Sequence, residues 1–474
     1  MKLQTPLSDA VSAYIKAKPL RFHTPGHQGV FDGPFFEGSK ADITELSFSD
    51  NLLYPDGVIK QSERMAADFY KTAGTMYFTS GATSAIFTAV RSCAEYGRNL
   101  LVGKNAHKSV FNAAAIFGLN VVFYDAEDDG EGYVYPASAN AIEAALSRLD
   151  DVAAVSITAP DYFGRCADVG KIYGAVKKYG TRLIVDEAHG AHFSFSGLLP
   201  DSAIGKADFV IDSCHKTMPV YSGGAILHCA TDKLYADALF NRAVLHSTSP
   251  QYLTLISIEL AVARLADGGE ELYSRLYDKA EGFKREIAGS PYIAEEADAE
   301  RGIERDFSRL VVNCGDYSAH ELLRRLEERN IYAETALCSR AVFILSPYNP
   351  DALDGLAAAL KSISLTEKAD KTPFPSFLTN APVYKAADAA GMSRGARENK
   401  GDADYGAAEY VDAENAAGRI SATEIGVYPP GTPIVSRGGV ITPEIIEYIL
   451  RNRVRVFGLN RGKLAVLHIP KLGR

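Results

Sequence analysis

No apolar run in this chain approaches the roughly 20 residues needed to cross a bilayer, so no membrane partner is expected. The opening stretch, Met1–Leu20, mixes Asp9, Lys16 and Lys18 with apolar residues. It has no apolar core leading to a small-residue cleavage site, and a cytoplasmic location is the expectation. A basic tract is also missing, and the formal net charge is -9, which argues against nucleic acid as the main partner. The six cysteines, at positions 93, 166, 214, 229, 314 and 338, form no CxxC pair. That excludes a zinc knuckle or a disulfide framework and leaves reduced, buried thiols. Two histidine pairs have metal-like spacing, His23 with His27 and His189 with His192. Neither belongs to an HExxH helix or has a carboxylate set, and Pro25-Gly26 breaks the helix that would align the first pair, so no metal is expected. Internal repeats and low-complexity tracts are absent too.

What is present is an ordinary soluble composition, 47% hydrophobic and 23% charged, over 474 residues. From Thr75 short apolar runs alternate with helical segments. Strands are expected over 76–80, 100–103, 121–124, 152–158, 183–186, 209–212 and 225–228, with helices over 82–95, 107–117, 137–147 and 168–179. Apolar runs of four to seven residues between helices mark an α/β domain with a mostly parallel sheet covered on both faces. A long helix over 252–284 leads to a small α+β unit, with strands over 309–313 and 342–345 and helices over 319–328 and 352–362. The expected organisation is an N-terminal arm over 1–60, a large domain over 61–250, a helical linker and small domain over 251–365, and a C-terminal domain over 366–474.

Four segments carry chemistry. Asp212-Ser-Cys-His-Lys-Thr217 directly follows a strand. A lysine there, beside hydroxyls and a histidine, is placed to form a Schiff base with an aldehyde cofactor, because desolvation makes its amine nucleophilic. Ser213 and Thr217 are available to a phosphate, and a plain surface lysine in a loop is the alternative. Leu183-Ile-Val-Asp-Glu-Ala-His189 ends an apolar strand at Asp186, where open α/β sheets bind ligands. A carboxylate at that point pairs with a protonated pyridine nitrogen and keeps the ring an electron sink; the alternative is a helix N-cap. Thr79-Ser-Gly-Ala-Thr-Ser84 joins strand to helix, and its backbone N–H groups and hydroxyls make a phosphate cradle, although capping alone explains such a turn. In Asn105-Ala-His-Lys-Ser109, His107 either stacks on a cofactor ring or caps a helix. Together the four converge on pyridoxal 5'-phosphate, in the order phosphate turn, stacking histidine, ring-nitrogen aspartate, Schiff-base lysine.

These residues resemble the bacterial ornithine/lysine/arginine decarboxylases of aminotransferase fold type I. The resemblance runs through Phe22-His-Thr-Pro-Gly-His27, Asp42-Ile-Thr-Glu45, Asp50-Asn-Leu52, Pro55-Asp-Gly-Val-Ile59 and Phe78–Ser84. It continues through Asp186–His192, Ser213–Thr217, Ser247–Tyr252 and Tyr428-Pro-Pro-Gly431, in a short form without a receiver-like domain ahead of the catalytic part. It implies a fold type I large domain with a mostly parallel seven-stranded sheet, and smaller α+β C-terminal parts. It further implies decarboxylation of a basic amino acid to a diamine-type product, and a homodimer or larger with the active site at the interface. By the same resemblance Lys216 bears the cofactor, Asp186 holds the pyridine nitrogen, His107 covers the ring and His189 sits close to it. Ser80, Gly81, Ala82 and Ser213 ligate the phosphate, with Thr83 and His215 among the cofactor-binding residues. His27, Asp50 and Glu424 are the candidates for substrate contact.

The chain departs from the family pattern at three places, one of them Thr423, where the family often carries Glu or Asn and Glu424 sits one place later. Gln28 replaces a usual lysine, and Arg437-Gly-Gly439 stands where the family carries Pro-Gly-Glu. The Arg437-Gly-Gly439 change leaves the receptor for a distal substrate cation open: because burying that cation unpaired is costly, either Glu424, Asp412 or another acid substitutes, or the substrate is not a common basic amino acid, or this loop lies away from the substrate. Two other functions remain open on the residues alone. One is a different reaction on the same cofactor, such as transamination, for which Arg340 or Arg437 would grip the substrate carboxylate. The other is a cofactor-binding paralogue without catalysis.

Overall fold

The computed structural model describes residues 18, 20–22, 49–128, 133–369, 408–427, 431–451 and 456–467. Its centre is a seven-stranded sheet in the order Gly74–Phe78, Ala225–Cys229, Phe209–Asp212, Leu183–Asp186, Val152–Thr158, Asn99–Val102, Asn120–Phe123. Ala225–Cys229 runs antiparallel to both neighbours, and every other pairing in the interior is parallel. The expected seven strands are therefore all present, and three of them, over 152–158, 183–186 and 209–212, begin and end where the apolar runs do. Their residues are almost uniformly buried, as expected for strands covered on both faces.

Two helices of this region are not among those expected from the sequence. Val58–Tyr70 precedes the first sheet strand, and Asp232–Leu245 follows the last. The second buries Leu234, Ala238, Asn241 and Arg242 while Phe240 and Val244 are 69% and 66% exposed. Its apolar residues do not form one stripe, so periodicity cannot reveal it. Arg242 is held by Glu63 of the first of these helices, and the Glu63 carboxylate also accepts the Tyr77 N–H at 2.9 Å.

A 36-residue helix, Tyr252–Ile287, crosses to a four-stranded antiparallel sheet ordered Ile293–Ala294, Arg309–Asn313, Arg340–Ile344, Thr335–Leu337. Helices Ala319–Glu327 and Ala352–Ser362 belong to the same unit. The short pair Glu304–Arg305 and Arg165–Cys166 ties it to the large sheet. A C-terminal unit contains two three-stranded sheets and the helix Pro443–Arg451 around a core of Ile425, Ile434, Ile441, Ile445 and Val466. It reaches the large domain through Gly431, whose carbonyl accepts the Lys108 N–H at 3.0 Å. No helix among the described residues is long and apolar enough to cross a membrane.

Candidate active site

The C-terminal ends of the parallel strands open into a cavity of about 270 Å³. Its wall includes Ala82, Thr83, His107, Asp186, His189, Ser213, His215 and Lys216, drawn from four connections of the sheet. Strands supply the rigid platform and loops supply the side chains, as in open α/β folds generally.

Lys216 closes a single turn of 3-10 helix, Cys214–Lys216, immediately after the strand Phe209–Asp212. Its Nζ lies 3.1 Å from His189 Nε2. Burial lowers the Lys216 pKa; Asp186 opposes that shift and Arg309 adds to it. An amine with a depressed pKa is the nucleophile that an aldehyde needs. Asp186 is 3% exposed at its strand end, and its Oδ1 accepts the Ala188 N–H at 3.1 Å. Burial raises its pKa, with the Lys216 charge pulling the other way.

His107 takes both of its possible roles. Nδ1 caps the helix Lys108–Phe117 by accepting the Ser109 N–H at 3.2 Å, while the residue also lines the cavity. Burial, with Lys216 and Lys108 nearby, pushes its pKa down to about 3. Ser109 Oγ links His107 Nδ1, at 2.7 Å, to Thr83 Oγ1, at 2.8 Å, joining the ring-side wall to the phosphate turn. That turn is set by two glycines. Gly81 has φ +82° and donates its N–H to Gly223 O at 2.7 Å. Gly223 has φ +93°, and a Cβ there would lie 2.7 Å from Thr79 O.

The other predicted residues lie elsewhere. Ser80 is exposed and bonds Ser84 Oγ at 2.8 Å, and neither Ser80 nor Gly81 forms cavity wall. Thr217 is buried and is not part of that wall either. Asp50 has a structural role rather than a cavity position: its carboxylate accepts backbone N–H groups from Asn51, Asp56, Gly57, Ile59 and Lys60, between 2.7 and 3.2 Å. It therefore organises the entry to the helix Val58–Tyr70 and has little left to offer a substrate cation. Glu424 is 9% exposed and paired with Arg437 at 3.3 Å, again off the cavity wall. Arg340 is paired with Glu295 at 2.7 Å. His27, the 42–45 segment and Tyr428-Pro429-Pro430 lie outside the described residues.

Sequence reasoning missed Arg309, Tyr162, Asn105 and Thr158. Arg309 opens a small-domain strand, is 1% exposed, and places Nη2 2.5 Å from His189 Nδ1. Tyr162 packs edge-on to His189 with centroids 5.2 Å apart and donates to Glu334 Oε1 at 2.9 Å. The only signal for Arg309 was a cation opening an apolar strand, Leu310-Val-Val312.

These groups fit pyridoxal phosphate. Asn105 Nδ2 and Thr158 Oγ1 belong to wall residues, are buried, and have no hydrogen-bond partner among the described residues. Such orphaned groups are costly in an apolar setting and are satisfied by a polar ligand. A buried acid at one strand end, a lysine with lowered pKa at the next, and a glycine-led helix start complete the donor set. No group of three or more His, Cys, Asp or Glu suited to a metal occurs among the described residues.

Comparison with known proteins decides the family. The family profile described as Orn/Lys/Arg decarboxylase, major domain, matches residues 5–304, and its C-terminal domain matches residues 389–455. The chain belongs to the Orn/Lys/Arg decarboxylase family. It is 30% identical to the arginine decarboxylase of Bacillus anthracis, over 95% of this chain and 93% of that protein. Lysine decarboxylase A from Pseudomonas aeruginosa superposes with a TM-score of 0.74 at 18% identity, covering 99% of this chain and 78% of that one. A high-resolution structure of SPT with PLP shares the fold at a TM-score of 0.54 and 16% identity, over 75% and 83% of the two chains. The seven-stranded sheet and these neighbours establish fold type I for the large domain of this decarboxylase-family chain.

Proposed function

We propose that this decarboxylase-family chain binds pyridoxal phosphate on Lys216 and removes the α-carboxylate of a basic amino acid, arginine, lysine or ornithine. The observation that carries the reading is the Lys216 amine, 3.1 Å from His189 in the wall that also holds Asp186. When bound, the cofactor supplies the electron sink that lets the bond from Cα to the carboxylate break. Lys216 would hold its aldehyde carbon, Asp186 its ring nitrogen and His107 its ring face. The helix start at Ala82 and Thr83, with Ser213 and His215, would hold its phosphate. The apolar wall formed by Ile86, Phe163 and Leu337 limits water around the reacting carbon. Lys216 and His189 are the groups placed to return a proton to Cα.

Relatives named arginine and lysine decarboxylase support a basic substrate. Among the described residues the carboxylates on the cavity wall are Asp161 and Asp186, and Asp161 is held by Arg165 at 2.6 Å. The distal cation therefore needs an acid from beyond this wall, which fits an active site completed by a second copy in a homodimer or larger assembly. Transamination is less well supported, because the two arginines proposed to grip a carboxylate are neutralised by Glu295 and Glu424.

The test is to load the purified chain with pyridoxal phosphate and supply arginine, lysine, ornithine and several non-basic amino acids in turn, measuring released CO2 and the amine formed. The expected result is CO2 and the matching amine from one basic amino acid, at a protein mass of two chains or more. A keto acid as the sole product would overturn the decarboxylase reading.

A further inference from the structure

Arg309 and Lys216 meet opposite nitrogens of the same imidazole. Arg309 Nη2 lies 2.5 Å from His189 Nδ1, and Lys216 Nζ lies 3.1 Å from His189 Nε2. A guanidinium has five donors and no acceptor, and it keeps its proton in proteins. The contact at Nδ1 can therefore be a hydrogen bond only if Nδ1 is the acceptor and carries no hydrogen. A neutral imidazole with a bare Nδ1 has its hydrogen on Nε2. Nε2 then donates to Lys216 Nζ, which can accept only as a neutral amine, because an ammonium has three donors and no lone pair.

We propose that Arg309 is a positioning residue that fixes His189 in its Nε2–H tautomer, and that this bond in turn holds Lys216 as a neutral amine ready to take up an aldehyde. The inference rests on the reading that Lys216 bears the cofactor, and it adds a residue from the small domain to that site. The arrangement is enforced by packing. Arg309 is 1% exposed, and Gly164, at φ +80°, passes so close that a Cβ there would lie 2.6 Å from Arg309 Cβ. Tyr162 covers the edge of His189 and is itself anchored to Glu334.

Burial and the groups that face His189 all act in one direction. Burial comes first, then Lys216 and Arg309, then His107 and His215, and together they drive its pKa well below the ordinary value. Tyr162 and, through it, Glu334 complete the polar surroundings. Burial likewise lowers Lys216, with Asp186 and Glu334 opposing and Arg309 reinforcing. A doubly protonated His189 would have to give up the Arg309 bond, and a protonated Lys216 the Nε2 bond. Once Lys216 is engaged elsewhere, Nε2–H remains as a proton donor facing the cavity.

The test uses the full chain without cofactor, labelled with 15N-histidine, and His189 is assigned by the signals lost in His189→Gln. The expected spectrum has a bare, pyridine-type Nδ1 and a protonated, pyrrole-type Nε2, with no imidazolium at pH 6. In Arg309→Met, shown by circular dichroism to be folded, the tautomer bias is lost, and uptake of pyridoxal phosphate at pH 7.5 slows by about ten- to a hundredfold, the usual range for an orienting partner. Arg309→Lys, which retains a donor-only cation, restores most of the bias. A wild-type proton on Nδ1, or a folded Arg309→Met with the tautomer unchanged, overturns the proposal. The wild-type spectrum decides the tautomer without any variant. Because it is read without cofactor or substrate, it stands or falls separately from the decarboxylation assay.

Discussion

His189 and His192 occupy one turn after the strand Leu183–Asp186, and both reach the same short stretch of the small domain, Asp306–Arg309, yet they meet opposite charges. His192 Nε2 bonds Ser308 Oγ at 2.9 Å and lies 3.3 Å from Asp306 Oδ2. Burial pushes the Asp306 carboxyl up, but His192, the Ser308 hydrogen bond and Arg309 together hold it below its usual range. His189 is wedged between Lys216 and Arg309. An acid beside a buried histidine serves stability. A guanidinium on one side and a neutral, reactive amine on the other serve chemistry at the expense of stability, and perturbed groups of that kind gather at functional sites. One turn thus couples a structural joint between two domains to the reactive amine.

The largest expected effect comes from removing the reactive amine on the chemical side. Lys216→Ala should cut CO2 release by roughly three orders of magnitude or more, as expected when a nucleophile that works as a unit with its neighbours is lost. The melting temperature should not fall, because the buried amine is destabilised by its burial and by Arg309; a clear fall would break the contrast between the two histidines. On the structural side, His192→Leu leaves the Asp306 charge buried without its partner. Urea unfolding should show a loss of about 3 kcal/mol, with a much smaller change in turnover per folded molecule than Lys216→Ala produces.

Asp50→Ala sharpens the comparison for a carboxylate. Five backbone N–H groups converge on Asp50, so the variant should lose about 1–2 kcal/mol, the scale of a helix-capping side chain. Its preference among arginine, lysine and ornithine should be unchanged; an altered preference would return Asp50 to the substrate site. The smallest effect is in acid. His107 has a folded pKa of about 3 against an ordinary 6.5. Between those values the unfolded chain binds the extra proton and the folded chain does not, so stability falls as pH drops through that window. His107→Gln removes this contribution, and its urea midpoint should drop less than that of the wild type between pH 7 and pH 5.

The sheet was legible in the sequence because its strands are continuous apolar runs bounded by helices; Val152–Thr158, Leu183–Asp186 and Phe209–Asp212 carry their own limits. The chemical residues near strand ends were legible for the same reason, since chain order places Asp186 and Lys216 at adjacent strand tips. Asp232–Leu245 was not legible, because it buries Arg242 and exposes Phe240. Arg309 was not legible either: its partner is 120 residues away in the chain, and only the packing of the small domain against the sheet brings them together. Asp50 and Glu424 were read as free acids because a sequence does not show which backbone amides or cations an acid has already met.

The central claim is that Lys216 bears the cofactor. Its most direct test is borohydride reduction of the chain loaded with pyridoxal phosphate, followed by proteolysis and mass mapping of the phosphopyridoxyl group. The account predicts a single labelled lysine, Lys216, and no stoichiometric label in Lys216→Ala. A label on another lysine, or none at all, would contradict it.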